Sequence, residues 1–498
     1  MTAIFSKSYF SIWLEKPARR TILIFWVAAL ILLTLMSVMP INVIGPFDAR
    51  TYEPVKNVRV EYSPAGAALE PVMALAHIIA GAPEMRKAAV SVPIWILVLV
   101  TGIVVVGQLH RNHWQPGWHT ITSAIAAIGI GVFALALYGM FIILVRIPTW
   151  RAVAPYPDVL LVELHTHTFG SHDGLISARD CLRWHRQRGC DVVAVTEHDT
   201  PKGSLEASAI AENDESLPPV IPGVELHLEN LGYICAIGPK EQLAQHAFTN
   251  SQGSFIPWFH QNCHGVVFAL THTFTSGIAE RFAKLGIDGF DAASDGHSSL
   301  SALLQNEVFA AADNYQLPLV SWTDWHGIGG ILRTWTAIRV PSASTLSGQQ
   351  RAEAVLDALR RHKRSNITPL VIGRMKQVSP ARAIFAPFIE SMRYALELSP
   401  LRLLAWWVWS IALFLFATIL LHLGIRPEKL ISATAMAVMG VLVLIKGIQL
   451  IIAHTCGQAP YFFPVEIGLK ASVLGITAVI FGVIGSYFAV IRRTDKML

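Results

Sequence analysis

Six short apolar runs in the middle of the chain each lead into histidine, aspartate or glutamate. In chain order these polar side chains are His165 and His167, then Glu197, His198 and Asp199, then Glu225, His272, then Asp291, Asp295 and His297, and finally Asp324 and His326. Imidazole and carboxylate together suit Zn, Mn and Fe, and such mixed sites leave positions open for water and substrate. One apolar run that ends in a histidine is ordinary. Six runs in one segment that lead to histidine, aspartate or glutamate predict a metal site.

The runs themselves have the composition of buried strands. They span 159–164, 192–195, 220–224, 266–270, 287–290 and 317–320, and they are rich in Val, Ile and Leu. Segments with helical patterning, such as 178–188 and 301–314, separate several of them, which predicts an α/β fold with parallel strands. Side chains at the carboxyl ends of parallel strands meet on one face, as in a barrel-type active site.

The composition outside this segment indicates a membrane protein. Of the 498 residues 53% are hydrophobic and 15% charged, and the apolar excess lies on either side of the predicted strands. Six runs are long enough to cross a hydrocarbon core of about 30 Å, namely 21–39, 92–109, 120–145, 403–421, 433–453 and 468–490. We therefore predict a membrane α-helical bundle of about six helices, formed by 1–150 and 391–498, with an α/β domain inserted over 151–390.

A seventh apolar run, 65–82, is interpreted as an interfacial or re-entrant helix, because Glu70, Pro71 and His77 interrupt it. Orientation follows from the flanking charges. Those that favour cytoplasmic termini are Lys16, Arg19, Arg20, Arg492, Arg493 and Lys496. Three crossings then place the inserted domain outside the cytoplasm of a bacterial-type inner membrane. Arginines beside the insert favour the opposite orientation: Arg146, Arg151, Arg382, Arg393 and Arg402.

Charge and cysteine content exclude several other classes. The net charge of +5 is small and is not gathered into a basic tract, so nucleic acid is not a predicted partner, whereas contact with anionic membrane lipids is. The five cysteines include no C-x-x-C pair, which argues against a disulfide framework and a zinc knuckle. Lys446 and Gln449 fall inside the fifth apolar run, where polar groups usually face a bundle interior or a cavity.

The strand ends belong to an ordered set of motifs. These are L-H-T-H-T at 164–168, S-H-D-G at 171–174, T-E-H-D-T at 196–200, P-G-V-E at 222–225, T-H-T at 271–273 and T-D-W-H-G at 323–327. The set resembles the polymerase and histidinol phosphatase (PHP) family, with a looser likeness over 333–336 and 354–360 to its carbaryl-hydrolase-type branch. The resemblance implies a distorted seven-stranded β/α barrel that holds up to three divalent metal ions at its carboxyl end.

The resemblance also implies a ligand set. One ion would be held by His165, His167, Glu225 and Asp324, with Glu225 bridging to a neighbouring ion. A second ion would be held by His198, His326 and either Asp173 or His172. The motif S-H-D-G is one residue longer than the common family form, which leaves the last choice open, and we prefer Asp173.

A middle ion would be held by Glu225 and His272. Family members usually have a histidine a few residues after the bridging glutamate, whereas the segment 232–235 here reads Gly-Tyr-Ile-Cys. Tyr233 and Cys235 are weak substitutes for that ligand. The resemblance is therefore compatible with two ions or with three.

Two metal ions that share Glu225 would lower the pKa of a bound water toward neutrality and neutralise charge on the substrate. This chemistry predicts a membrane-anchored hydrolase, first of all a phosphoesterase acting on a small-molecule or lipid-linked phosphate ester. Asp199 and His297 are the candidates for protonating the leaving group, although Asp199 could equally orient a ligand imidazole. Lys202 and Arg333 are candidates for meeting an anionic substrate, or else surface charges. The alternatives are a metal-dependent esterase or amidase and a non-catalytic ligand-sensing module coupled to the membrane helices.

Overall fold

The computed structural model describes residues 17–39, 45–147, 149–246, 248, 254–295, 300–373, 375 and 377–491. Twelve strands are present in these residues: β1 Phe47–Asp48, β2 Arg59–Tyr62, β3 Trp150–Val153, β4 Val159–Thr166, β5 Val192–His198, β6 Val220–Leu228, β7 Gly232–Ile237, β8 Val266–Ala269, β9 Gly289–Ser294, β10 Leu319–Trp322, β11 Thr334–Arg339 and β12 Ile367–Val371. The helices of the inserted domain are Ala178–Gln187, Lys202–Glu212, Lys240–Leu243, Phe255–Cys263, Ile278–Lys284, Ala302–Asn314 and Gly348–Arg360.

All six predicted strands are present, as β4, β5, β6, β8, β9 and β10. Ten strands form one sheet in the order β1-β12-β11-β4-β5-β6-β7-β8-β9-β10. Strand β7 pairs antiparallel with both β6 and β8, so the six predicted strands all run in the same direction. Their carboxyl ends therefore lie along one edge of the sheet.

The sheet also contains antiparallel strands that the sequence pattern does not predict. A short turn at Glu229–Leu231 joins β6 to β7, and a connection this short can only join antiparallel neighbours. On the other side, β11 pairs antiparallel with β4 and with β12. The result is a ten-stranded mixed sheet rather than a parallel one.

The sheet curls until β10, at one end of the strand order, lies beside β11. Side-chain hydrogen bonds join these two strands. The Thr336 hydroxyl on β11 accepts from the amide of Ser321 on β10 and donates to the carbonyl of Ser321, at 2.9 and 2.7 Å. Closer to the carboxyl end, the Asp324 amide donates to the carbonyl of His165 and the His167 amide to that of Trp325. This curl brings the end of β10 beside the end of β4.

Apolar side chains are packed on both faces of the curled sheet. Inside the curl, buried side chains from eight strands pack together, including Val162, Phe268 and Trp322, and helix Gly348–Arg360 adds Val355. Outside it, the other domain helices cover the sheet in two further apolar clusters. Because both faces are covered, every residue of β4 is buried, which explains why its first four residues, 159–162, are all apolar.

Within the described residues, five helices are long and apolar enough to cross a membrane: Met85–Arg111, Trp118–Leu144, Pro400–His422, Pro427–Thr455 and Phe463–Val490. They correspond to the last five of the six predicted spans. The first predicted span overlaps helix Pro17–Ser37, of which the structure describes the side chains only in part, so this span stays a prediction. The structure therefore bears out five of the six by length and composition.

The seventh apolar run forms two short helices, Pro64–Ala68 and Glu70–Ala80. The longer has 11 residues, which gives a length of roughly 16 Å and is too short for a span. Its Glu70 carboxylate is fully buried and accepts hydrogen bonds from the Tyr394 hydroxyl at 2.8 Å and the Arg402 guanidinium at 2.6 Å. Helices Pro380–Ile384 and Ala386–Leu396 complete this junction between the domain and the apolar helices.

Loops on one side of the apolar helices contact the inserted domain. The segment before helix Met85–Arg111 contributes β1, which pairs with β12, and β2, which pairs with β3. The loop after helix Pro427–Thr455 places the Tyr461 ring 6.3 Å from the ring of His172. Both segments would lie on the domain's side of the membrane in the arrangement of three helices before the insert and three after it.

The cysteines offer a test of orientation. Cys456 in that loop is exposed, whereas the other four cysteines are buried. We expect a membrane-impermeant maleimide to label Cys456 in intact spheroplasts and to give no signal with Cys456→Ser, as read by mass shift. Labelling that requires permeabilised membranes would place the domain in the cytoplasm.

Candidate metal centre

The parallel strands bring the predicted ligands to one place. His165 lies near the end of β4 and His167 follows it, His198 ends β5, and Glu225 lies on the neighbouring β6 directly across from His198. Asp324 and His326 follow β10, which the curl of the sheet brings beside β4. Side chains far apart in the sequence therefore converge because four strand ends meet.

The first cluster contains His165, His167, Glu225 and Asp324, all buried. The Nε2 atoms of His165 and His167 lie 3.1 and 3.2 Å from Asp324 Oδ1 and 3.5 and 3.2 Å from Glu225 Oε2. A tetrahedral ion with bonds of about 2.1 Å separates its ligand atoms by roughly 3.4 Å. The four atoms thus have the spacing of ligands around one ion.

The second cluster joins His198, His326 and Asp173. One Asp173 oxygen lies 3.4 Å from His198 Nε2 and the other lies 3.2 Å from His326 Nε2. The neighbouring His172 has a side chain that is 64% exposed. Its ring centroid lies 4.7 Å from that of His198, and the two histidines form a further group of possible ligands with Asp173. Of the two alternatives left by the sequence, Asp173 is the one whose carboxylate lies between both imidazoles.

Several atoms of these clusters are buried without a hydrogen bond in the described structure. They are Glu225 Oε2, Asp173 Oδ1, His198 Nε2 and His326 Nε2. Glu225 Oε2 is close to three imidazoles, since His198 Nδ1 is 3.2 Å away as well. Buried polar atoms that approach one another without bonding are costly unless a further group lies between them. Divalent cations fit this arrangement of donors, and the position of Glu225 Oε2 suits a bridge between two of them.

The charge state of the site agrees with its ligand types. Burial lowers the pKa of His165 and lowers that of His167 to about 4, so both rings are neutral at pH 7, as metal ligation requires. Burial also opposes protonation of His326, but the facing carboxylates of Asp173 and Asp324 raise its pKa to about 9. The same negative potential that attracts a proton to His326 would attract a cation.

A further layer of side chains orients the imidazoles, and sequence reasoning did not assign it. His165 Nδ1 lies 2.7 Å from the Thr196 hydroxyl, and His167 Nδ1 lies 2.9 Å from the Ser171 hydroxyl. Ser171 in turn donates to the fully buried Glu197 carboxylate at 2.6 Å. With Nδ1 held in this way, Nε2 of each ring faces the cluster. All three residues lie inside the sequence motifs that contain the predicted ligands, so the sequence could have identified them.

Glu225 and His272, the residues proposed for a middle ion, line the same cavity, but among the described residues His272 belongs to none of the groups that could hold an ion. His272 lies in the turn Thr271–Thr273 after β8, with its ring stacked 6.1 Å from that of Tyr233. Cys235 is paired with Glu225 across the sheet but is fully buried in the inner core, and burial raises the pKa of its thiol. His272 as a ligand stays a prediction.

His227 is a cavity residue that the sequence reasoning missed. It lies two residues after Glu225 on β6, and because side chains alternate along a strand the two lie on the same face. Its ring lies 4.7 Å from that of Tyr233, at the side of the cavity that holds His272. The cavity therefore has a histidine at 227, although the segment 232–235 contains none.

The remaining site predictions have different outcomes. Asp199 lies on the rim of the cavity, in a left-handed backbone conformation (φ 59°) directly after β5. His297 lies outside the described residues. Lys202 is exposed at the start of helix Lys202–Glu212 and does not line the cavity. Arg333 is neither a surface charge nor a cavity residue, because it is buried against Asp295 and the carbonyl of Ala82. It ties the domain to the helical junction.

The cavity over both clusters has a volume of about 330 Å³. It is lined by His172, Asp173, His198, Asp199, Glu225, His227, Tyr233, His272, Asp324 and His326. Pockets that bind small molecules start at roughly 300 Å³. The cavity is therefore large enough for a small polar group to reach the clusters.

No protein-family model matches the chain, and no curated protein matches it. Solved structures that resemble part of it include a two-domain protein from Bacteroides vulgatus with a domain described as a PHP-like metal-dependent phosphoesterase (17% identity, TM-score 0.33, 47% of this chain and 70% of that one). A protein from Bifidobacterium adolescentis described as a metal-dependent phosphoesterase has 15% identity, a TM-score of 0.30 and coverage of 40% and 96%.

An amidohydrolase from Chromobacterium violaceum has 16% identity, a TM-score of 0.27 and coverage of 34% of this chain and 89% of its own. All of these identities lie below 25% and all of the TM-scores below 0.5. The likenesses therefore assign neither a fold family nor an activity to this chain, and the metal centre is inferred from the chain's own residues.

Metal content tests the two clusters directly. We expect two or three divalent ions per chain after purification without chelators, measured by elemental mass spectrometry, because the buried clusters need cations. His165→Ala with His167→Ala should remove most of the metal. His264→Ala, which truncates an exposed histidine at the end of helix Phe255–Cys263, should remove none. Wild-type protein without metal would contradict the site.

Substitutions of Asp173 and His172 test which of these two neighbours is the metal ligand. Asp173→Asn should lower the metal content by about one ion per chain, because the amide cannot replace a charged carboxylate between two imidazoles. His172→Asn should leave the content unchanged, since that side chain points outward. The reverse outcome would assign His172 as the ligand.

Proposed function

We propose that this chain is a membrane-anchored, metal-dependent hydrolase, and specifically a phosphoesterase. The observation that carries the proposal is Glu225 Oε2, a buried carboxylate oxygen within 3.5 Å of His165, His167 and His198 and without a hydrogen bond of its own. A purely structural carboxylate at this depth would be hydrogen-bonded. An oxygen placed between two clusters suits a bridge between two cations.

When bound, divalent Zn, Mn or Fe would supply a Lewis acid that makes water nucleophilic near neutral pH and neutralises charge on the substrate. The chain's own contribution is geometric and electrostatic. Neutral His165 and His167 leave Nε2 free to ligate, and the buried carboxylates Glu225 and Asp324 balance the cations. Asp199, on the rim of the cavity, is our candidate for giving a proton to the leaving oxygen.

The surroundings of the cavity favour a substrate near the membrane surface. His172 lines the cavity and contacts Tyr461, which belongs to the loop between the last two apolar helices. The mouth of the site is therefore close to the helices that would span the membrane. We propose a small-molecule or lipid-linked phosphate ester as substrate, on the extracytoplasmic side.

Turnover of p-nitrophenyl phosphate, bis(p-nitrophenyl) phosphate and p-nitrophenyl acetate by the purified, metal-loaded chain tests the reaction class. Hydrolysis of a phosphate substrate well above that of the acetate supports a phosphoesterase. Preference for the acetate would favour the esterase alternative, because metal-activated water attacks phosphoryl and acyl centres alike. Turnover of none of the three would contradict the proposed activity.

Glu225→Gln tests the bridging role. The change keeps the side-chain size but removes the charge that holds two cations together, so we expect turnover to fall by roughly a hundredfold or more. The unfolding temperature should shift only by the amount due to lost metal. Glu229→Gln, an identical change in the exposed turn after β6, should keep full activity. Unchanged hydrolysis by Glu225→Gln would mean that the active ions lie elsewhere.

A further inference from the structure

A second cavity, which we call the junction cavity, lies where the domain contacts the apolar helices. Its volume is about 350 Å³. The domain contributes Phe169, Leu175 and Asp180, and helix Pro427–Thr455 contributes Lys446, Gln449 and Leu450. It shares no lining residue with the cavity of the metal centre. A ligand in the junction cavity would therefore bind at a separate site.

Two cations face the junction cavity. Arg146, just after helix Trp118–Leu144, donates from Nε to the carbonyl of Gly327 at 2.6 Å and from Nη2 to that of Leu175. Its Nη1 has no partner among the described residues. The Lys446 ammonium likewise forms no hydrogen bond or ion pair in the described structure, although burial covers part of the side chain. The carboxylate in the cavity, Asp180, already accepts from Ser177 and pairs with Arg183. The cavity therefore holds two cations against one carboxylate that is already paired, which leaves an excess of positive charge.

The position of Lys446 indicates where the compensating anion comes from. Lys446 lies nine residues before the end of its helix, which is roughly 14 Å along the axis, so its ammonium can reach the headgroup region from inside the bilayer. On the same helix, Gln449, Leu450 and Ala453 follow at the spacing of one face and line the cavity. Ile445, Ile448 and Ile452 are exposed beside it, as expected of a surface that meets acyl chains.

We propose that the junction cavity binds the phosphate of an anionic membrane lipid between Arg146 and Lys446. The apolar wall formed by Leu144, Phe169 and Leu450 would cover the glycerol part of the lipid, and the acyl chains would lie along the exposed isoleucines. A soluble phosphate has the same charge but no part that uses the apolar wall. The inference rests on membrane insertion and is independent of hydrolase activity, since binding involves no turnover.

Binding to the full chain in a mild nonionic detergent tests this site. The probes are dioleoylphosphatidylglycerol, dioleoylphosphatidylcholine and sn-glycerol 1-phosphate, with bound ligand counted by native mass spectrometry. We expect the anionic lipid to bind best. Lys446→Gln should weaken its binding by about tenfold, the loss of one charge-assisted contact. Lys446→Arg should keep it.

Lys429→Gln is the matched control, because Lys429 is an exposed lysine at the opposite end of the same helix. It should bind the lipid as the wild type does, and metal content should be unchanged in all three variants. Equal binding of both lipids would overturn the proposal, as would wild-type affinity in Lys446→Gln. Binding of glycerol phosphate as strong as that of the anionic lipid would show that the cavity takes a soluble phosphate instead.

Discussion

The burial of carboxylates and imidazoles together at one end of the sheet is the constraint on which the domain depends. Glu225 and Asp324 are almost fully buried beside His165 and His167, which burial keeps neutral. An uncompensated buried charge costs several kcal/mol, roughly the margin by which a whole domain is stable. Bound cations would recover that cost, and metal binding would then be coupled to the stability of this end of the domain. The hydroxyls of Thr196 and Ser171 orient the two rings toward the cluster.

The curl of the sheet follows from the same requirement. Ligands on β4 and after β10 belong to strands at different positions in the sheet order, and they meet only because β10 approaches β4 and β11. No backbone ladder joins β10 to β11 in the described residues. The Thr336 hydroxyl substitutes for it, with one bond to the amide and one to the carbonyl of Ser321. An ion bound by His165 and Asp324 would add to the hydrogen bonds that already join this end of β10 to β4 and β11.

The sequence predicts the part of this structure that depends on local pattern. An apolar run that ends in a ligand-type residue identifies a buried parallel strand, and all six such strands are present because both sheet faces are covered. Strand β7 was missed because its pairing is set by the turn before it rather than by its own composition. Arg333 was misassigned because a charged residue gives no local sign that Asp295 lies beside it in the fold. His227 was overlooked although the alternation of strand side chains places it beside Glu225.

The apolar helices supply no ligand among the described residues, yet they contact the segments that carry ligands. Arg146 binds the carbonyl of Gly327, the residue after His326, and that of Leu175, two residues after Asp173. The Leu175 amide in turn donates to the carbonyl of His326. Both loops of the second cluster are therefore fixed to one arginine at the end of an apolar helix. A displacement of that helix would move Asp173 and His326 together, so the second cluster is positioned by the apolar helices as well as by the sheet.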